Sequence, residues 1–484
     1  MSSITELSPN LVWQWFAKIC SIPHPSHHEQ ALADFIIQWA KQKQLWVGQD
    51  AAGNILIRKA ATAGMEDHQP VALQAHLDMV PQANKNTAHN FLTDPIVPYV
   101  DGEWVKATGT TLGADNGIGM ASCLAVLDSN DIAHPPLEVL LTASEETGMV
   151  GALGLQPNWL QSEVMINTDT EDEGEIYIGC AGGEDVDIRF PVQWQALRKD
   201  EVAVHIALTG LKGGHSGAEI HLNRGNAIKL LAKTLEKALA KVSFRLADIS
   251  GGSVRNAIPR EAFATVLLSS ASVEKFKQVW QLLSQQLIEA LSHAEKQINF
   301  ALEEATAEQG LSERQSQILL DLINALPNGV IRFSDVLPDV VETSISLGVL
   351  ETKAEQIKLT LLARSLNDHG QDDVVGLVRS VCRLADAEVV FSGRYPGWEP
   401  QADANIVKRT KTLYDRILGK ESVIKVIHAG LECGLINKVY PNMEMVSIGP
   451  TILGAHSPDE RCHIPAVAVY WQLLTELLAT MPKK

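Results

Sequence analysis

Two stretches in which strands alternate with helices, one at each end of the chain, constrain the fold more than any other sequence feature. Short apolar segments at 54–58, 71–74 and 137–142 are predicted strands. A Gly-rich loop and a helix at about 118–128 separate the last two of them, and strand–helix alternation returns after residue 396. This order is typical of the α/β class, with a largely parallel central sheet flanked by helices.

The middle of the chain has a different pattern. The segment Ala181-Gly-Gly183 ends the first region, and residues 186–192 alternate apolar and polar side chains, as a half-exposed antiparallel strand does. Amphipathic helices follow, and the Gly- and Pro-rich segment 393–400 is typical of a linker. We therefore predict an α+β domain with an antiparallel sheet at 187–396, inserted into a discontinuous first domain at 1–186 and 397–484.

Composition excludes several classes of partner. Lys and Arg total 40 against 58 Asp and Glu, a formal charge of −18, which opposes binding to nucleic acid and to anionic membranes. The six cysteines are scattered with no C-x-x-C pair, as suits a reducing compartment. No signal peptide and no apolar run of membrane-spanning length is expected, so the predicted location is the cytoplasm.

Five short segments place histidine or acidic side chains beside strand ends or glycines. Taken singly, each also has an ordinary explanation, such as a hydrogen-bonded turn, a helix cap or a solvated loop. As a set they offer two imidazole and three carboxylate ligands, which suit zinc, cobalt or manganese, and one glutamate remains as a base. The segments are Gln74-Ala-His-Leu-Asp-Met-Val-Pro81, Gly109-Thr-Thr-Leu-Gly-Ala-Asp-Asn-Gly-Ile-Gly119, Ser144-Glu-Glu-Thr-Gly148, Ile166-Asn-Thr-Asp169 and Gly454-Ala-His-Ser-Pro-Asp-Glu460.

In order and local context, these segments resemble the co-catalytic zinc peptidases that include carboxypeptidase G, aminoacylase and the carnosinases. The resemblance covers nearly the whole chain and is greatest to the bacterial aminoacyl-histidine dipeptidases. Three further stretches support it: Cys20-Ser-Ile-Pro-His-Pro-Ser26, Gly53-Asn-Ile-Leu-Ile-Arg58 and His428-Ala-Gly-Leu-Glu-Cys-Gly434.

The resemblance implies hydrolysis of dipeptides, such as β-alanyl-histidine, by water activated at two divalent metal ions, zinc first, with cobalt and manganese as alternatives. It implies a cis peptide bond between Asp115 and Asn116. By this resemblance, His76 and Asp169 hold one metal, Glu146 and His456 hold the other, and Asp115 bridges both. Glu145 is then the general base, and Asp78 orients His76.

The inserted domain resembles the lid domain of these peptidases. By that resemblance His215 binds the carbonyl oxygen and its developing charge, and Asn256 and Arg364 hold the C-terminal carboxylate of a dipeptide. The same residues would otherwise serve ordinary turn or surface roles. Closure of the lid would exclude water, and a homodimer is expected.

Two other functions remain open at this stage. An N-acyl amino-acid deacylase could use the same metals, and a catalytically silent metal-binding scaffold would be expected to lack Glu145 or a ligand, none of which is missing. Other catalytic motifs are absent from the sequence: His28-Glu29 has no second histidine for H-E-x-x-H, and neither a G-x-S-x-G elbow nor a Walker A motif occurs.

Overall fold

The chain folds into two units, seen in a computed structural model that describes residues 3–291, 293 and 295–484. The first unit runs up to Cys180 and continues through Trp398–Val426 and Leu431–Lys484. The second unit consists of Ala181–Gly397 and the short segment Ile427–Gly430.

An eight-stranded sheet forms the centre of the first unit. Its three innermost pairings, which join four strands, are parallel, and the pairs next to them on both sides are antiparallel. The strands Val71–His76 and Leu137–Thr142 are buried at every residue, as central parallel strands covered on both faces should be. In spatial order the strands are Trp46–Gln49, Ile55–Lys59, Leu137–Thr142, Val71–His76, Val164–Asn167, Glu444–Ser447, Glu175–Cys180 and Val423–Ile427.

Helices and a small second sheet complete the first unit. A four-stranded sheet is formed by Ile452–Leu453, Arg461–His463, Trp104–Ala107 and Pro98–Asp101. The helix Ala114–Asp128 is buried along almost its whole length, so it belongs to the core rather than to the surface. The helices are Asn10–Cys20, Gln30–Gln42, Ala114–Asp128, Val150–Gly154, Asn405–Leu418, Glu432–Val439 and Ile464–Ala479, with a 3-10 turn at Ile4–Glu6.

A large antiparallel sheet forms the second unit. The strand Gly182–Pro191 pairs antiparallel with both of its neighbours and alternates buried and partly exposed residues from Val186 onwards, as its sequence predicts. The path runs through Asn299–Ala305, Glu201–Thr209, Ala262–Ser269, Arg245–Gly251, Val341–Thr352, Gln356–Ser365, Gly182–Pro191 and Glu388–Tyr395, with Gly329–Phe333 beside Val341–Thr352. Two-strand ladders join Gln195–Ala196 to Gln309–Gly310, and Gly214–His215 to Ala257–Ile258.

Helices pack on this sheet around one hydrophobic core. The helix Ala227–Leu239 begins where the Asn226 side chain accepts a hydrogen bond from the Lys229 N–H, and it buries Ile228, Leu231 and Leu235 in that core. The other elements are the helices Val273–Leu291, Glu313–Ala325 and Asp368–Leu384 and the 3-10 turns Ile220–Leu222 and Ser270–Ser272. Together the two units confirm the predicted class, a mixed α/β sheet plus an antiparallel α+β unit.

The segment predicted as a linker at 393–400 contains the boundary between the two units, which falls between Gly397 and Trp398. Its first residues finish the strand Glu388–Tyr395, and Trp398 is only 2% exposed. Trp398 also exchanges two backbone hydrogen bonds with Cys180, at 2.9 and 3.0 Å. The segment therefore passes from the second unit to the first by way of a strand end and a buried tryptophan.

Among the residues that the structure describes, no helix is both long and apolar enough to cross a membrane.

Candidate active site

The five predicted ligand segments meet at one end of the central sheet in the first unit. His76 is the last residue of the strand Val71–His76, while Glu146 and Asp169 follow the two strands on either side of it. Because these strands are parallel, their carboxyl ends lie at the same edge, which is where open α/β sheets bind ligands. Asp115 lies in the first turn of the helix Ala114–Asp128, and His456 follows the strand Ile452–Leu453.

Asp115 lies between the two histidines. Its Oδ1 is 3.2 Å from Nε2 of His76, and its Oδ2 is 3.1 Å from Nε2 of His456. His76 Nε2 is also 3.4 Å from Asp169 Oδ1, and His456 Nε2 is 3.0 Å from Glu146 Oε1. The arrangement therefore has two halves, each with one imidazole and one carboxylate, joined by the carboxylate of Asp115.

The donor set fits divalent cations. Ligand atoms of His76, Asp115 and Glu146 all lie within 4.8 Å of one another. Glu146 Oε1 is buried and, among the described residues, has no hydrogen-bond partner, although His456 Nε2 lies 3.0 Å away. A buried carboxylate oxygen without a donor is either protonated or stabilised by a nearby positive charge. A cation coordinated by these groups would provide that charge.

The charges in the site also favour a cation. Burial raises the pKa of Glu146 and Asp169, and the nearby Asp115 carboxylate adds to both shifts. Burial also raises the pKa of Glu145 well above its usual value, with contributions from Asp169 and Glu146. The Asp115 and Glu146 carboxylates, 3.1 and 3.0 Å from its Nε2, raise the pKa of His456 to about 11. The protein alone thus compensates its clustered carboxylates with imidazolium groups, a task that bound metal would take over.

The peptide bond between Asp115 and Asn116 is cis, as the resemblance implies. Asn116 is 2% exposed, and its side-chain amide donates to Thr168 O at 3.1 Å and to the Asp169 carboxylate. The residue after Asp115 therefore connects the start of the helix to the segment that carries Asp169.

Asp78 makes more contacts than the orientation of His76 alone would require. His76 Nδ1 lies 3.0 Å from the main-chain oxygen of Asp78 and 3.4 Å from its carboxylate. The same carboxylate accepts hydrogen bonds from the N–H groups of Glu145 (2.8 Å) and Glu146 (3.2 Å) and from the Ser26 hydroxyl (2.7 Å). Asp78 thus fixes the turn that presents both glutamates.

Sequence reasoning missed several acids around this site. Glu29 accepts from the N–H and hydroxyl of Ser144, and Glu432 accepts from Gln74 and Thr142 beneath His76. Glu171, which the sequence suggests is a surface residue, is half-buried, and burial together with Asp115 and Asp169 raises its pKa to about 9. No spacing rule distinguishes such acids from solvated ones, so the sequence offers no signal for them.

The second unit contains a cluster around His215. His215 Nδ1 accepts hydrogen bonds from the N–H groups of Gly217 (3.1 Å) and Ala218 (2.9 Å). Burial and the nearby Arg364 charge lower the pKa of His215, so the ring is neutral near pH 7 and carries its proton on Nε2. The Nε2–H group is therefore a hydrogen-bond donor. Asn256 lies in the adjacent chain segment, and its main-chain oxygen accepts from the Ser216 N–H at 2.8 Å.

Arg364 is placed in the same unit, in the strand Gln356–Ser365. It is 5% exposed; Nη1 is 3.5 Å from the Tyr395 hydroxyl, and Nε has no hydrogen-bond partner among the described residues. Gly217 approaches it so closely that an added Cβ would lie 2.8 Å from Arg364 Nε and 2.1 Å from His428 O. A buried guanidinium with a free donor is suited to bind an anion.

The fold and the sequence identify this protein as a peptidase. Residues 72–480 match the family model described as "Peptidase family M20/M25/M40". The chain belongs to this family and is a hydrolase that acts on peptide bonds.

Individual relatives agree with this assignment. The chain is 52% identical over 485 residues, 100% of both chains, to the cytosol non-specific dipeptidase of Escherichia coli K12. It is 49% identical to aminoacylhistidine dipeptidase from Vibrio alginolyticus, whose crystal structure superposes with a TM-score of 0.93 over 100% of this chain and 99% of that one. Aminopeptidase PepT from Bacillus cereus shares the fold, with 15% identity, a TM-score of 0.57 and 98% of each chain covered.

Proposed function

We propose that this protein is a dipeptidase that uses two divalent metal ions, and that its substrates include Xaa-His dipeptides such as β-alanyl-histidine. The observation that carries the proposal is the position of Asp115, whose two carboxylate oxygens each face one histidine at 3.1–3.2 Å. A carboxylate shared in this way is suited to bridge two cations. The two most similar relatives described above are both dipeptidases by name.

The residues that would hold the metals are divided between the two halves of the site. His76 and Asp169 would bind one ion, Glu146 and His456 the other, and Asp115 both. Zinc suits this mixture of nitrogen and oxygen ligands, with cobalt and manganese as alternatives. Such ions, when bound, polarise a carbonyl oxygen and acidify water.

The remaining steps belong to the chain's own side chains. Glu145 is the proposed general base: its backbone is fixed by Asp78, and its carboxyl lies among the proposed ligands, where burial raises its pKa well above the usual value. His215 would donate its Nε2 proton in a hydrogen bond to the developing oxyanion, and Asn256 and Arg364 would bind the terminal carboxylate of the substrate. We also propose a cytoplasmic location, as the name of the E. coli relative suggests, and a homodimer.

A substrate panel tests this proposal. Metal-free protein reloaded with zinc, cobalt or manganese should hydrolyse dipeptides, including β-alanyl-histidine, and should leave longer peptides of the same sequence uncleaved. The rates, measured by release of the free amino acid, report both metal and side-chain preference. Equal activity on many dipeptides would extend the substrate range beyond Xaa-His, as the name of the E. coli relative suggests. Activity confined to acetylated amino acids would instead identify a deacylase.

The role of Arg364 leads to a separate prediction. In R364K the bidentate fork is lost, so KM for dipeptides should rise about 10- to 100-fold, as expected for losing about 1.5–3 kcal/mol of charged hydrogen bonding, while kcat changes little. Steady-state kinetics measures both constants. R394K, which alters an arginine paired with Asp372 and Asp368, serves as the control and should leave KM unchanged. A fall in kcat at constant KM would contradict the assignment.

A further inference from the structure

Glu460 makes an unusual set of contacts close to the proposed metal ligands. Its Oε2 accepts hydrogen bonds from the N–H groups of Leu112 (2.7 Å) and Gly113 (3.0 Å). Its Oε1 accepts from the N–H groups of Ala114 (2.7 Å) and Asp115 (3.2 Å). The residue is 2% exposed, so one buried carboxylate binds four consecutive backbone N–H groups.

These four groups lie where the chain enters the helix Ala114–Asp128. Gly113 precedes the helix with φ +73° and provides no side-chain cap. Asp115 and Asn116 have non-helical backbone angles, so these four N–H groups precede the first regular turn of the helix and an acceptor outside the helix must satisfy them. A carboxylate suits this position because it only accepts hydrogen bonds and offers two oxygens to the four N–H groups.

The contacts connect two separate ligand segments. Glu460 follows His456 by four residues, in a segment braced by hydrogen bonds from Ser457 N–H to Gly454 O (3.2 Å) and from Glu460 N–H to Ser457 O (3.1 Å). The far end of the Glu460 side chain holds the backbone of Asp115. Asp115 Oδ2 and His456 Nε2, 3.1 Å apart, are therefore joined through Glu460 as well as through their own contact.

We propose that Glu460 is a positioning residue that sets the spacing between Asp115 and His456 for binding of the metal ion they share. The inference rests on the proposed function, because it requires that these residues bind metal. An amide cannot replace the carboxylate, since its NH₂ group would face backbone N–H groups that it cannot accept from. Glu460 is not one of the proposed metal ligands and acts through the Asp115 backbone.

The test compares E460Q with a matched variant, E138Q. Glu138 is also a buried carboxylate, and it accepts from the N–H groups of Gln161 and Ser162 at 2.8 Å. It pairs with Ala72, near the start of the parallel strands, whereas Thr142 pairs with His76 at the site. Both variants therefore lose a buried carboxylate, but only E460Q loses one that contacts the Asp115 backbone.

Zinc affinity measured by equilibrium dialysis should fall about 10- to 100-fold in E460Q, the range found for residues that orient metal ligands, and should be unchanged in E138Q. The visible spectrum of the cobalt-loaded protein should change in E460Q alone. Wild-type zinc affinity and an unaltered cobalt spectrum in E460Q would overturn the inference. If wild-type protein also failed to bind zinc, the proposed function would fall with it, which distinguishes the two failures.

Amide hydrogen exchange provides a measurement that does not depend on a folded variant. In metal-free wild-type protein, the N–H groups of residues 112–115 should exchange as slowly as those of the central strands, because Glu460 binds them without metal. Exchange at the rate of exposed loops would overturn the inference even if E460Q does not fold.

Discussion

In E145A, kcat for dipeptides should fall about 100- to 10,000-fold, the contribution typical of a positioned general base, while the metal content stays that of the wild type. Glu145 has this effect because its carboxyl lies beside the proposed ligands without being one of them. Its backbone N–H is held at 2.8 Å by Asp78, so truncating the side chain leaves the turn in place. Steady-state kinetics and elemental analysis of the same preparation test the two halves of the prediction.

The neighbouring residue is the control. Glu146 Oε1 lies 3.0 Å from His456 Nε2, so E146A should lose bound metal together with activity. Glu145 and Glu146 are adjacent in sequence and share the Asp78 carboxylate, so the two variants differ in little except the proposed role. If E145A lost metal and E146A kept it, the roles of the two glutamates would have to be exchanged.

Local sequence patterns were sufficient to predict much of the fold. The apolar runs at 71–74 and 137–142 became the strands Val71–His76 and Leu137–Thr142, because strands buried on both faces need continuous apolar sequence. The alternation after residue 185 likewise marked an antiparallel strand. The part played by Ile427–Gly430 in the second unit could not be predicted. These four residues belong to the second unit because of tertiary contacts, and such contacts produce no periodic pattern in the sequence.

The residues of the site also divide into those that the sequence predicts and those that it does not. His76 ends an apolar strand, and Asp169 and the two glutamates follow such strands, so strand prediction places all four near strand ends. They share one edge because the three strands are parallel neighbours. Glu460 could not be found in this way, although it lies in a segment that the sequence singled out. Its importance comes from four backbone N–H groups more than 340 residues earlier in the chain. Backbone donors are present at every residue, so sequence gives no sign of which of them need an acceptor.

Removal of the metals should abolish nearly all activity and should also destabilise the first unit. Asp115, Glu146 and Asp169 are brought together with Glu145 in a buried cluster, and burial raises the pKa of Glu145, Glu146 and Asp169 because their charged forms are poorly solvated there. Cations that bind only the folded protein offset this repulsion. At free metal 1,000-fold above Kd, the stabilisation is about 4 kcal/mol per site.

Thermal unfolding at a series of buffered free-zinc concentrations measures this effect. Tm should rise steadily with the logarithm of free zinc, and a chelator should return it to the metal-free value. D115N provides the matched control, because it removes the charge shared by both halves of the site while keeping the shape of the side chain. That variant should have a Tm that no longer responds to zinc. A wild-type Tm independent of zinc would contradict the prediction, because cations that bind among four buried carboxyl groups must stabilise the folded protein.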